Sequence, residues 1–87
     1  PAELERVLAG HPDLTEIAII GRDDERWGQV PVVVAARASS DVEAAHILKV
    51  FNGEVAKFKQ PKDVIFVNAL PRNAIGKIVI DEIKKLL

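Results

Sequence analysis

The sequence has no cysteine, which excludes disulfides, thiolate zinc sites and cysteine nucleophiles and leaves only His11 and His46 as imidazole ligands. That absence is compatible with a cytosolic protein. Long apolar runs are lacking too. Those present, such as Ile17 to Ile20 and Val32 to Ala36, fall far short of the roughly 20 residues a bilayer span requires, so no membrane span is expected. There is no cationic excess either: 12 Lys and Arg stand against 13 Asp and Glu, net −1, which argues against a nucleic-acid binder held by counterion release. The amino end, Pro1-Ala2-Glu3-Leu4-Glu5, has no basic-then-apolar leader and no initiator Met, and reads as a cut within a longer chain. What remains is 87 residues, 48% of them hydrophobic, enough for a single domain over 1–87 that buries roughly 60% of its unfolded surface. A two-substrate active site with its own cofactor fold does not fit that length, so a module of something larger is expected.

Leu4, Val7 and Leu8 recur at helical spacing behind Pro1, with Glu3 and Glu5 in the first turn, and Gly10 and Pro12 end that helix. Glu16 to Ile20 is rich in β-branched residues and reads as a strand buried on most of both faces and stopped by Gly21. Val32 to Arg37 is a second strand, paired antiparallel with the first across the charged loop from Arg22 to Gln29. Ser40-Asp41-Val42-Glu43 fits a capping box with Ser40 as cap, opening a helix whose apolar stripe is Ala44, Leu48, Phe51 and Val55, with Gly53 inside it. Pro61 forbids helix continuation, Val64 to Val67 makes a third strand, and Lys77 to Ile80 is a short extended piece. Asp81 caps a final helix that ends in Leu86 and Leu87. Without strict βαβ alternation, the class is α+β: a mainly antiparallel three-stranded sheet plus a short terminal hairpin, flanked by helices.

Lys77 is the first candidate for chemistry, because a lysine directly after Gly76, in a loop opened by Pro71, projects from a backbone able to approach a ligand closely. On spacing alone a solvated loop lysine is the better reading. Gly76-Lys77 is not a phosphate-cradling P-loop, since no Ser or Thr follows and Pro71 occupies the place of the other glycine. Trp27, the only tryptophan, reads alone as the partly buried anchor of a long loop. His11 and His46 are assigned to different helices without a carboxylate at ligand spacing, so no metal site is expected. Asp23, Asp24 and Glu25 solvate a turn, and Ser39 and Ser40 suit a helix cap better than a nucleophile.

The string Leu70-Pro71-Arg72-Asn73-Ala74-Ile75-Gly76-Lys77-Ile78 resembles the closing lysine motif of the adenylate-forming superfamily, which includes acyl-CoA synthetases, peptide-synthetase adenylation domains and luciferases. Pro1 to Glu5 looks like the tail of that superfamily's hinge motif. His11-Pro12, Glu16 to Gly21, Asp24 to Gln29 and Phe58 to Lys62 match in order and spacing, so the resemblance spans essentially the whole chain. It implies the small carboxy-terminal lid domain of an ATP-dependent carboxylic acid–CoA ligase, cytoplasmic and inactive alone. Its partner would be a large N-terminal domain, which would also hold Mg2+; ATP, CoA and the acid would be the substrates.

Within the resemblance, Lys77 supplies the cation for attack of a carboxylate on ATP, and Gly76 sets the loop geometry. Trp27 and Phe58 fall where some members hold the nucleotide end of CoA, and Lys62 where a cation meets its phosphates. Asn73 departs from the common Thr or Ser, and Gln60 sits where certain relatives carry Arg. The corresponding part of a peptide-synthetase adenylation domain, or a stand-alone binding module of the same fold, are the alternatives.

Overall fold

The computed structural model describes residues 2–85. Its elements run α1 (Ala2–Leu8), β1 (Leu14–Asp24), β2 (Gly28–Arg37), α2 (Ala44–Lys49), a 3-10 turn (Lys57–Lys59), β3 (Asp63–Phe66) and α3 (Ile80–Lys84). The class is α+β, and the sheet is mostly antiparallel, with order β1-β2-β3. β1 and β2 pair antiparallel from Leu14↔Arg37 to Asp24↔Gly28. β3 joins the other edge of β2 in parallel, from Val32↔Asp63 to Ala35↔Phe66. The chain reaches β3 by a crossover through α2, the kind of connection a parallel pair requires.

Strand parity distributes the core over both faces of the sheet. Ile19, Val33, Ala35 and Val64 face α1 and α2, where they meet Leu4, Leu8, Ile47 and Phe51. Ala18, Ile20, Val32 and Val34 face the opposite side, covered by Leu70 and Ile83. A register irregularity between Leu14 and Glu16 resets the parity at the start of β1. Leu14 thereby joins the α1 and α2 side, while the Glu16 carboxylate reaches the segment around Leu70 on the other side.

Several local expectations are corrected. β1 does not stop at Gly21: it runs on to Asp24, and a Cβ at Gly21 would meet Gln29 Oε1 at 2.8 Å, so this glycine marks close cross-strand packing. The charged loop therefore shrinks to Glu25, Arg26 and Trp27. The capping box does not form, because Ser39 Oγ accepts the Asp41 N–H and α2 opens at Ala44 without a side-chain cap. α2 ends at Lys49, and beyond it the chain tightens into i→i−3 turns with Gly53 in a left-handed conformation at φ 81°. Ile47, absent from the expected stripe, is fully buried. The terminal hairpin reduces to one antiparallel bridge, Arg72↔Ile78. α3 starts at Ile80, so Asp81 lies in its first turn and is not its cap. Pro1, Leu86 and Leu87 lie outside the described residues.

Candidate functional site

Lys77 is exposed on a loop that closes on itself. The Asn73 N–H donates to Lys77 O at 2.9 Å, and the Gly76 N–H to Asn73 O at 2.9 Å. Asn73 Oδ1 accepts the Ile75 N–H at 3.1 Å and the Lys77 N–H at 3.0 Å. Asparagine at this place thus supplies side-chain hydrogen bonds to the loop itself. Gly76 has φ 85°, a left-handed value that disfavours any Cβ; no atom lies within 4 Å of where one would sit, so the constraint is conformational and not one of space.

The loop is tied to the sheet by two residues that sequence reasoning did not single out. One nitrogen of the Arg72 guanidinium donates to Gly76 O at 2.8 Å and another to Glu16 Oε2 at 3.2 Å. The same carboxylate oxygen accepts the Leu70 N–H at 3.3 Å. The available signal was Glu16 itself, a carboxylate directly preceding the apolar run of β1.

Trp27, Phe58 and Lys62 come together at the other end of β1. Asp24 Oδ1 accepts the N–H groups of Arg26 and Trp27 at 2.9 and 3.0 Å, which fixes the three-residue turn. Trp27 is 65% exposed and Phe58 79%, so neither is a core anchor. With Gln29, Val30, Pro31 and Lys62 they line a shallow cleft of about 230 Å³. Lys62 is held there by its own N–H, which donates to Pro31 O at 2.9 Å. Cations accompany both rings: the Arg26 guanidinium lies 5.2 Å from the Trp27 centroid, and Lys59 Nζ lies 5.9 Å from that of Phe58. Gln60 turns inward, donating to Phe51 O and Val55 O, and brings no charge to the cleft, in line with its departure from Arg at that place. A larger apolar groove of about 490 Å³ shares Gln29, Val30 and Pro31 with the cleft, but Trp27, Phe58, Lys62 and Lys77 do not line it.

From Glu16, where the lysine loop is tied, to Asp24, where the turn of Trp27 begins, β1 extends about 27 Å at about 3.4 Å per residue. Two sets of candidate residues therefore stand toward opposite ends of one strand.

The histidines also require a correction. His11 lies in the turn after α1, and Asp13 touches both rings: its carboxylate Oδ2 is 3.2 Å from His46 Nε2, and its backbone N–H donates to His11 Nδ1 at 3.1 Å. Ligand atoms of the three residues lie within 4.8 Å of one another. His11 Nδ1 already accepts a hydrogen bond and His46 Nε2 already meets a carboxylate, and the cluster pins α2 to the turn before β1. Asp23 accepts from Gln29 Nε2 and Asp24 serves the turn, so neither is arranged as an acid and base pair.

Mg2+ finds no oxygen cage beside Lys77. The near carboxylate, Glu16, is taken by Arg72 and the Leu70 N–H, and the one group of three candidate metal ligands among the described residues is the histidine cluster. No helix among the described residues is long and apolar enough to cross a membrane.

Residues 3–77 match the family described as AMP-binding enzyme C-terminal domain. Over its whole length the chain is 43% identical to an indoleacetate–CoA ligase of Aromatoleum aromaticum, of which it covers 17%. It is 40% identical to a 2-succinylbenzoate–CoA ligase of Bacillus mycoides, of which it covers 18%. In three dimensions 99% of it superposes on a fatty acyl-CoA synthetase of Mycobacterium tuberculosis with a TM-score of 0.90 and 36% identity, covering 17% of that chain. The chain thus spans under a fifth of the length of the curated relatives it matches.

Proposed function

This chain belongs to the family of AMP-binding enzyme C-terminal domains, and from that premise we propose that it is the mobile lid of an ATP-dependent carboxylic acid–CoA ligase. In the first half-reaction a substrate carboxylate oxygen attacks the α-phosphorus of ATP, the bond to the β-phosphate oxygen breaks, and pyrophosphate leaves. Two anions meet in that step. An ammonium with three donors, delivered at close range by Lys77, offsets the negative charge gathering on the reacting oxygens. In the second half-reaction the CoA sulfur attacks the acyl carbon, the bond to the AMP oxygen breaks, and AMP and the thiol proton leave. Trp27 and Phe58 stack on the nucleotide end of CoA while Lys62 meets its phosphates.

The observation that carries this reading is the placement of the two sets toward opposite ends of β1. A single domain serves both steps only by reorienting against a larger partner, a large N-terminal domain that supplies the acid pocket and encloses ATP. A cleft of about 230 Å³ with two largely exposed rings is half of a binding site, and needs a second wall to enclose a ligand. Mg2+ enters no step assigned to these residues. A cytoplasmic location, where ATP and CoA are both supplied, is part of this proposal.

The test is a double dissociation in the full-length enzyme. Lys77→Ala should depress acid-dependent pyrophosphate exchange and spare thioester formation from supplied acyl-adenylate, and Trp27→Ala should do the reverse. Equal losses in both half-reactions for either variant would remove that residue from the site.

A further inference from the structure

We propose that Glu16 and Arg72 are positioning residues for Lys77, fixing where its loop stands on the sheet; this rests on the reading of Lys77 given above. The hydrogen bonds of Asn73 fix the shape of the loop but are internal to it. Glu16 supplies a tie of another kind. Its Oε2 receives the Leu70 N–H at the entry to the loop and the Arg72 guanidinium from within it. Arg72 passes that tie on, because its planar fork presents a second nitrogen to Gly76 O at 2.8 Å, one peptide bond from Lys77. The result is a relay from β1 through a carboxylate and a guanidinium to the backbone that carries the reactive ammonium.

The geometry suits a catalytic demand better than a stability demand. The side chains are 46% and 23% exposed, and ion pairs so solvated add little to folding. A lysine has a long flexible stem, so its reach is useful only if its root is held. A misplacement of about 1 Å at a reacting centre costs on the order of 100-fold in rate.

The experiment uses the full-length enzyme with Glu16→Ala, Arg72→Ala, Arg72→Lys and Glu16→Gln. The two alanine variants should each lower kcat for pyrophosphate exchange by about 10-fold to 100-fold, leaving KM for ATP and the rate of thioester formation from supplied acyl-adenylate unchanged. Amide hydrogen exchange at Gly76 and Lys77 should accelerate in both, and the melting temperature should hold. Arg72→Lys keeps the charge and loses the fork, so it should stay impaired, whereas Glu16→Gln keeps an acceptor oxygen and should recover part of the rate.

A rise in KM for ATP in Arg72→Ala that Glu16→Ala does not share would overturn the proposal, since Arg72 would then be touching the triphosphate itself. Parallel loss of both half-reactions and of the melting temperature would overturn it as well. If Lys77→Ala leaves exchange activity intact while Glu16→Ala still frees the loop amides, the lid reading fails, and the positioning role falls with it although the anchoring stands.

Discussion

The two ends of β1 are built on opposite rules. Around Lys77 the polar groups are engaged: Asn73 holds the loop's amides, and Arg72 bridges Gly76 O and Glu16. Around Trp27 the surface proposed to meet CoA is largely bare, two exposed rings and a lysine over a short turn and a 3-10 turn. A group that acts at one point of a transition state has to be placed to within a fraction of an ångström, and a network of hydrogen bonds does that. A surface that grips a nucleotide far from its reacting thiol needs area and charge, and tolerates looseness.

Four substitutions in the full-length enzyme break or sharpen this contrast. The largest effect belongs to neither end. Phe51→Ala empties a fully buried position and should cost about 3–5 kcal/mol of stability, with both half-reactions and the melting temperature falling together. Lys77→Ala should lower adenylation on the order of 100-fold to 1,000-fold, roughly 3–4 kcal/mol, with thioester formation close to normal in stopped-flow traces. Trp27→Ala should raise KM for CoA by an amount equivalent to about 1–3 kcal/mol, the worth of one aromatic stack, and leave pyrophosphate exchange unmoved; a drop in melting temperature instead would mark the ring as packing. Gly76→Ala should cost about 1–2 kcal/mol through its left-handed φ, seen as faster amide exchange confined to the lysine loop.

The strands were legible because β-branched runs leave few alternatives, and the candidate residues were legible through motif resemblance. What was missed arises from contacts distant in sequence. The parallel pairing of β3 depends on the path of the crossover, which Val64 to Phe66 do not encode by themselves. Gly21 read as a strand end since its role is written in Gln29 on the neighbouring strand. The Ser40 cap failed because α2 opens only at Ala44, with Glu43 at its N-cap position, which leaves Ser40 three residues short of the helix; separately, Gly53 admits the tight turns that follow the end of α2. Glu16 and Arg72 escaped for the same reason: nothing local pairs a carboxylate with a guanidinium across such a stretch of chain.

The second face of the sheet is closed by Leu70 and Ile83, which flank the lysine loop in the chain. During synthesis the hairpin of β1 and β2 is complete well before either has left the ribosome, so Ala18, Ile20, Val32 and Val34 wait uncovered in the nascent polypeptide. Their shelter and the seating of Lys77 arrive together. A chain stalled or cleaved between β3 and Leu70 therefore lacks Lys77 together with both covering residues and presents an adhesive apolar sheet to its neighbours, the kind of surface on which chaperones and proteases act.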